Sequence, residues 1–252
     1  MSRSCLRPIF ITLLLLLLIA RLPLPSVAAQ EREGWASADV SDDLVVWVQD
    51  GAGVTAEDFA AAYSDELSRA LDELLLFLNL PEVEQPIQIE IYGDVADYQA
   101  SVAEIGREEL DGQIAIADAP NATIALPIDS FRSLTALDAE NQLRHALSHV
   151  AAGWASGFEI PRGFDEGLAQ YAERPNLPVQ ARLAALVQAA SQDGKLTSWS
   201  NLNRAEPLDD DDIERAQSYS IMAYRRQHQG LPDLWAFLDE LQSAESWRDA
   251  MN

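Results

Sequence analysis

The hydrophobic positions in the first part of the chain follow strand and helix patterns in turn. Residues 44–48 form a continuous apolar run that a glycine-rich turn closes, and residues 87–91 alternate isoleucine with polar residues. Both patterns are typical of β-strands. Between them, apolar residues recur at helical spacing over 59–78. Thr55 and Asp58 precede this run with a spacing that resembles a capping box, so the segment is predicted to be a helix. This region therefore predicts strands packed around one long helix.

The hydrophobic pattern then changes to mostly helical spacing. Residues 95–105 predict a helix, and the apolar runs at 114–117 and 122–126 predict a hairpin because a turn signal separates them. From residue 138 onward the spacing predicts only helices, at 138–155, from 161 onward, and at 179–190, 213–228 and 232–248. We therefore predict an α+β fold, with an N-terminal lobe at about 40–155 and a helical lobe at about 156–252.

Residues 1–29 have the pattern of a secretory signal. Arg3 and Arg7 precede an apolar run at 8–20, and small residues ending at Ala29 predict cleavage after that residue. The run is shorter than the roughly 20 residues of a membrane-spanning helix, and an uncleaved N-terminal anchor is the alternative. We expect an extracytoplasmic protein (secreted, periplasmic or at the cell surface) with the mature domain at 30–252, which contacts a membrane only through this segment if it stays uncleaved.

The mature domain is strongly acidic. The chain has a net charge of −24, and residues 1–29 contain three arginines and no acidic residue, so removal of this segment leaves −27. Such a charge repels phosphate backbones and anionic lipid headgroups, and we expect no nucleic-acid partner. The single cysteine, Cys5, lies in the signal segment. No disulfide can therefore form within the mature domain, and its stability must come from the core, to which a metal would add if one binds.

Two of the three histidines of the chain, His145 and His149, lie four residues apart in a predicted helix. At about 100° per residue they share one face, nearly opposite the apolar stripe that contains Leu143 and Leu147. Glu166, in the next predicted helix, can complete a set of three ligands and leave the fourth position of a zinc ion to water. The spacing thus predicts a Zn²⁺ site at His145, His149 and Glu166. The alternative is a polar or relic pair that binds no metal.

The sequence around these residues resembles the H-E-x-x-H signature of zinc peptidases, in which the glutamate takes a proton from the zinc-bound water. Here the glutamate position is Ala146. The wider pattern, roughly L-x-H-E-L-x-H, a proline-led turn and W-x-x-E-G-x-A-x-Y, is similar to gluzincin metallopeptidases, and most closely to peptidase MA-like domains. The chain departs from it at Ala146 and Phe164 and keeps Leu143, His145, Leu147, His149, Pro161, Glu166, Gly167, Ala169 and Tyr171.

The resemblance implies a zincin-like fold, with a small mixed sheet and helices in the N-terminal lobe and the metal helix at the junction with the helical lobe. It implies that 122–126 is an edge strand that pairs with an extended peptide, so a peptide or protein is the expected ligand. Gln170, one turn after Glu166, is the expected acceptor for a ring N–H of a ligand histidine. Tyr219 and Tyr224 are candidate transition-state donors, with core packing as their alternative role.

Ala146 has no group that accepts a proton, and general-base catalysis typically contributes about 10²–10⁴-fold. Asp165, Glu173 and Glu140 are the candidates for a displaced base. The leading interpretation is an exported pseudo-peptidase, inactive or impaired, that binds zinc, peptide or both. The alternatives are an active zinc metallopeptidase that uses a displaced carboxylate, and a metal-free structural or binding domain. Whether the protein is an enzyme stays open at this point.

Overall fold

A computed structural model describes residues 32–105, 114–158, 160–203, 211–244 and 246–250. The predicted signal segment at 1–29 lies outside the described residues. By its contacts, the chain from Gly34 to Asn252 forms one unit, which contains every element named below. Within the described ranges, no helix is both long and apolar enough to span a bilayer.

The first half of the unit is built on a mixed sheet of five strands, in the order β1-β2-β3-β5-β4. Strand β3 runs parallel to both of its neighbours, whereas β1 and β4 pair in antiparallel fashion with β2 and β5. Val46, Ile89 and Ile124 lie opposite one another across three strands, and all three are fully buried. The strands are β1 (Trp35–Ser41), β2 (Leu44–Gln49), β3 (Ile87–Tyr92), β4 (Ile116–Asp118) and β5 (Thr123–Pro127).

The two longest helices begin and end at residues with the expected capping chemistry. Thr55 and Thr135 accept a backbone N–H at the start of α1 (Ala56–Leu78) and α4 (Ala136–Ser156), and Asn79 and Gly157 end these helices in the left-handed conformation. The helices are α1 (Ala56–Leu78), α2 (Val95–Glu104), α3 (Ile128–Arg132), α4 (Ala136–Ser156), α5 (Arg162–Ala172), α6 (Leu177–Asp193), α7 (Trp199–Leu202), α8 (Asp211–His228), α9 (Leu231–Ser243) and α10 (Trp247–Ala250). The predicted α+β class with a small mixed sheet is confirmed.

One strand has a different place from the one expected. The interpretation of 122–126 as a peptide-binding edge strand is wrong, because β5 pairs with β3 on one side and with β4 on the other. Its backbone groups are therefore already used within the sheet, and β4 is the outer strand at this end. Two further differences concern strand β1 and helix α9. The spacing predicts no strand at β1, whose side chains are at most half-buried. It predicts one helix at 232–248, whereas α9 ends at Ser243.

Helix α4 lies at the centre of the unit. Every residue from Leu143 to Ser156 is buried, and the helix contacts β4, β5, α1, α5 and α9. Its apolar side chains, among them Leu147 and Trp154, belong to the main core. Because polar groups are costly to bury without partners, the polar side chains on this helix need partners from the neighbouring elements.

Helices α5 and α8 approach each other closely at Gly167. A Cβ atom at this position would lie only 2.2 Å from the carbonyl oxygen of Ser218. The absent side chain therefore lets the backbones of the two helices touch, next to Glu166. Since the obstacle is backbone, no rotamer change can make room for a larger residue.

Gly167→Ala should destabilise the protein by about 2 kcal/mol or more, because an overpacked core forces the backbone to shift. The measurement is the free energy of unfolding by denaturant. Gly153→Ala in α4 is the comparison and should cost less, since its added Cβ would lie 2.9 Å from side-chain atoms of Ala119 and Phe158, whereas the Cβ at Gly167 would lie 2.2 Å from a backbone oxygen. Equal losses in the two variants would contradict the close approach of α5 and α8.

Candidate metal centre

The three predicted metal ligands converge in the structure. His145 and His149 lie one turn apart on α4, the chain reverses after Gly157, and α5 then presents Glu166 to both rings. Nε2 of His145 lies 3.5 Å from Oε2 of Glu166, and Nε2 of His149 lies 3.9 Å from Oε1. One ligand atom from each residue lies within 4.8 Å of the other two. Ligands bonded tetrahedrally at about 2.0–2.1 Å are about 3.4 Å apart, so this group could hold a metal ion after small movements.

The group is buried, and neither ring nitrogen of His149 makes a hydrogen bond to the described residues. His145, His149 and Glu166 are each only 4% exposed. Within the described part of the chain, Nε2 of His149 has no hydrogen-bond partner. An unsatisfied buried polar atom costs about 1–3 kcal/mol. A metal ion between the histidines and Glu166 would bond to this nitrogen, so the donor set fits a metal site.

Two carboxylates lie behind the histidine rings. Nδ1 of His145 is 2.9 Å from Oε1 of Glu173, and Nδ1 of His149 is 2.8 Å from Oδ2 of Asp165. The first contact is a hydrogen bond, whereas the second has the distance of an ion pair without hydrogen-bond alignment. A proton held at Nδ1 leaves Nε2 free as a metal ligand. Both carboxylates therefore favour the ring tautomer that a metal needs.

This arrangement differs from the expected roles of the neighbouring residues. Gln170 is buried and its Nε2 has no hydrogen-bond partner among the described residues, while the two Nδ1 positions face Glu173 and Asp165. Glu140, the third candidate for a displaced base, lies 3.2 Å from Nε of Arg174. One signal of the Glu173 contact is visible in the sequence, because Glu173 follows Glu166 by seven residues, about two helical turns, although it lies just beyond the last residue of α5.

Ala146, at the position of the family's base, is fully buried within the main core. Of the two candidate transition-state donors, Tyr224 is 61% exposed and its ring lies 4.4 Å from that of His228. Tyr219 lines a cavity together with Glu173. Burial, with added effects from neighbouring groups, raises the pKa of the Tyr219 hydroxyl. The two tyrosines thus have different environments, and Tyr219 is the one that lies near Glu173.

An ionic network supports the site from α1. Glu66 is buried and pairs with Arg69, Arg144 and Arg174; one of its oxygens lies 3.2 Å from Nε of both Arg144 and Arg174. Burial alone would raise the pKa of Glu66, but the hydrogen bonds from Arg174 and Arg69 and the charges of Arg144 and Arg174 lower it. The carboxylate is therefore charged, as a buried carboxylate with several cationic partners should be.

The network also fixes the chain at the end of α5. The backbone N–H of Arg174 donates to Oδ1 of Asn141 at 2.7 Å, and Nδ2 of Asn141 donates to the carbonyl of Arg174 at 3.3 Å. Arg144 precedes His145 in sequence, and Arg174 follows Glu173. The network thus holds both ends of the His145–Glu173 hydrogen bond. Its residues are far apart in sequence, and sequence patterns do not predict it.

The charges at the site depend on each other. Burial lowers the pKa of His145, but the hydrogen bonds and charges of Glu166 and Glu173 outweigh this effect and raise the pKa to about 9. Burial raises the pKa of Glu166, but the hydrogen bond from His145 and the charge of His149 hold it well below its usual range. Without a metal, His145 is therefore protonated and Glu166 ionised at neutral pH.

Comparisons with known proteins do not assign this site. No protein-family model matches the chain, and no curated protein or solved structure matches it either. The resemblance to peptidase MA-like domains therefore stays a prediction from the motif, and the function must be argued from the geometry of the described residues.

The zinc affinity of the protein should rise with pH between 7 and about 9. A metal can bind Nε2 of His145 only after the proton leaves, and the raised pKa holds that proton up to about 9. The expected slope is up to about tenfold in affinity per pH unit, and the affinity should level off above the pKa. Competition with a chelator of known zinc affinity gives the measurement.

Glu173→Gln is the control for this pH dependence. The substitution removes a charge that raises the pKa of His145, so the affinity should level off at a lower pH than in the parent. A parent affinity that does not change between pH 7 and 9 would contradict the protonated state of His145.

Proposed function

We propose that this protein is a zinc-binding pseudo-peptidase with a zincin-like fold of the peptidase MA-like type. The observation that carries the proposal is the buried convergence of His145, His149 and Glu166 beside a position, Ala146, that lacks a base. Bound zinc would supply Lewis-acid stabilisation and hold a water or a polar ligand group. The residues of the chain would hold the ion and orient its ligands.

The donor set supports zinc as the metal. Imidazole nitrogens suit zinc, and two histidines with one carboxylate leave an open fourth position in a tetrahedral site. Zinc-bound histidines usually donate their other N–H to a carboxylate or carbonyl. Glu173 and Asp165 lie where such partners are needed, at 2.9 and 2.8 Å from the two Nδ1 atoms. These contacts favour a metal site over a pair of incidental core histidines.

The same contacts argue against a displaced base. Asp165 and Glu173 face the Nδ1 atoms, on the side of each ring away from the nitrogen that faces Glu166. Glu140 pairs with Arg174. A base must come within hydrogen-bond reach of the proton it takes, directly or through one water. Each candidate is instead held by another partner, which supports an impaired or inactive site.

Two further parts of the proposal concern the ligand and the location. A peptide that adds to the sheet beside α4 would meet β4, the outer strand, since β5 is paired on both sides. The signal-like segment at 1–29 supports export to an extracytoplasmic compartment. The proposed protein is thus a secreted, periplasmic or surface-exposed metal- and peptide-binding domain.

Metal analysis tests the zinc site directly. Purified mature protein should hold one zinc ion per chain, and His145→Ala or Glu166→Gln should lose it. His228→Ala is the matched control, because His228 is the third histidine and lies exposed beside Tyr224. The parent should also melt at a lower temperature after chelation, since the fold is what brings the three ligands together. The proposal would be wrong if the parent protein held no zinc, or if His145→Ala held as much zinc as the parent.

Ala146→Glu tests whether the base is the missing part. Residue 146 follows His145 on the helix, and by the resemblance to the H-E-x-x-H signature a glutamate there should place a carboxylate beside the open zinc position. Because Ala146 is fully buried, the zinc content and melting temperature of the variant are measured together with its activity. Chelator-sensitive peptide cleavage should appear in Ala146→Glu and be at least about tenfold slower in the parent, as expected for a restored general base. The assay is cleavage of a quenched fluorescent peptide library with and without chelator.

Ala146→Gln is the control for this experiment, because it has nearly the same shape but cannot take the proton. It should stay as inactive as the parent while holding the same amount of zinc. Zinc-dependent cleavage by the parent that Glu166→Ala abolishes would instead identify an active peptidase with a displaced base.

A further inference from the structure

A third polar residue shares the face of α4 that carries the two histidines. Asn141, His145 and His149 follow one another at intervals of four residues, and they are only 7%, 4% and 4% exposed. Side chains four residues apart lie one turn apart on the same face of a helix. Glu166, on α5, faces both histidines. The two histidines therefore occupy two turns of a buried polar stripe, and Asn141 occupies the turn before them.

Asn141 binds the backbone immediately after Glu173. Its Oδ1 accepts the N–H of Arg174 at 2.7 Å, and its Nδ2 donates to the carbonyl of Arg174 at 3.3 Å. An amide side chain offers both an acceptor and donors, so this one residue pairs with both backbone groups. Helix α5 ends at Ala172, and the backbone of Glu173 is already extended. The two hydrogen bonds therefore hold the chain at the point where it leaves the helix.

The side chain of Arg174 holds the same segment less firmly. It pairs with Glu66 and Glu140, but it is 35% exposed, and a long arginine side chain can change rotamer while its backbone moves. Asn141 is short and buried, and it lies one turn from His145 on the same helix. Because α4 carries both residues, the hydrogen bonds of Asn141 fix the chain after α5 directly relative to the His145 ring.

We propose that Asn141 is a positioning residue of the metal centre, which holds Glu173 against Nδ1 of His145 and so keeps Nε2 of that ring directed at the metal position. Oε1 of Glu173 lies 2.9 Å from Nδ1 of His145, and Nε2 lies 3.5 Å from Oε2 of Glu166. Loss of a partner that orients a ligand histidine typically costs about 10–100-fold in metal affinity. The effect on metal rests on the proposed function, whereas the placement of Glu173 does not.

Asn141→Ala in the mature protein should bind zinc at least about fivefold more weakly than the parent, because Glu173 can then move away from the His145 ring. Competition with a chelator gives the affinity. The measurement is made above the raised pKa of His145, about 9, so that loss of the ring proton does not contribute. Asn141→Ser, which can keep one of the two hydrogen bonds, is the milder second variant and should show a smaller loss.

Gln217→Ala is the matched control. Oε1 of Gln217 accepts the N–H of Thr197 at 3.0 Å, and its Nε2 donates to the carbonyl of Thr197 at 2.8 Å. The variant thus removes the same pair of hydrogen bonds to one backbone residue. Among the described residues, no hydrogen bond or ion pair joins Gln217 or Thr197 to the metal ligands or to Glu173. Its zinc affinity should differ from that of the parent by less than about twofold.

A double substitution separates positioning from a general loss of stability. Glu173→Ala removes the carboxylate that Asn141 places, so adding Asn141→Ala to it should change the zinc affinity by less than about twofold. A residue with only a structural role would lower the affinity equally in both backgrounds. The melting temperature of each variant is measured, so that affinities are compared between folded proteins.

The metal-free protein gives a second readout that does not depend on zinc. The proton of the hydrogen bond between Glu173 and Nδ1 of His145 should give an NMR signal that is protected from exchange with water. This proton should exchange faster in Asn141→Ala than in the parent, because the carboxylate is no longer held in place. In Gln217→Ala its exchange should be unchanged.

Unchanged proton exchange in both folded Asn141 variants would overturn the inference. So would equal losses of zinc affinity in Asn141→Ala and Gln217→Ala, or an effect of Asn141→Ala that persists in full without Glu173. A parent protein that binds no zinc, but whose protected proton is lost in Asn141→Ala, would support the placement of Glu173 and contradict the proposed zinc site instead.

Discussion

The structure depends on the burial of a helix that carries charge. Helix α4 is covered along 143–156, yet it contains Arg144, His145 and His149. Burying such groups is favourable only where partners replace the lost water. The neighbouring elements meet this demand: α1 contributes Glu66, α5 contributes Glu166, and the segment after α5 contributes Glu173. The positions of these elements around α4 are therefore tied to the pairing of its polar groups.

The carboxylates around α4 have distinct tasks. Glu66 takes part in ion pairs with arginines, and its surroundings keep it charged. Glu166 faces both Nε2 atoms, whereas Asp165 and Glu173 face the Nδ1 atoms. Among these four carboxylates, Glu166 is the one placed to meet a metal ion. The remaining acids set the orientation and protonation of the side chains that would hold it.

The parts of the fold and site that are encoded locally can be predicted from the sequence. Capping residues and apolar spacing give the bounds of α1 and α4 within a few residues, and two histidines four apart predict one shared face. Strand order cannot be predicted in this way, because the local pattern does not say which strands become neighbours. The interior position of β5 is therefore not visible in the sequence. The Glu66–Arg174 pair joins residues 108 apart. Neither residue stands out among the many acidic and basic positions of the chain.

The position of Ala146 has a consequence for how such a protein can evolve. Its side chain packs in the apolar core, while the contacts that arrange the histidines run through Glu166, Asp165 and Glu173. Under the proposed function, the base and the metal would therefore depend on separate sets of residues. A lineage could lose or regain turnover by a single codon change at residue 146. Selection for metal retention would act separately, on the histidines and on Glu166, Asp165 and Glu173.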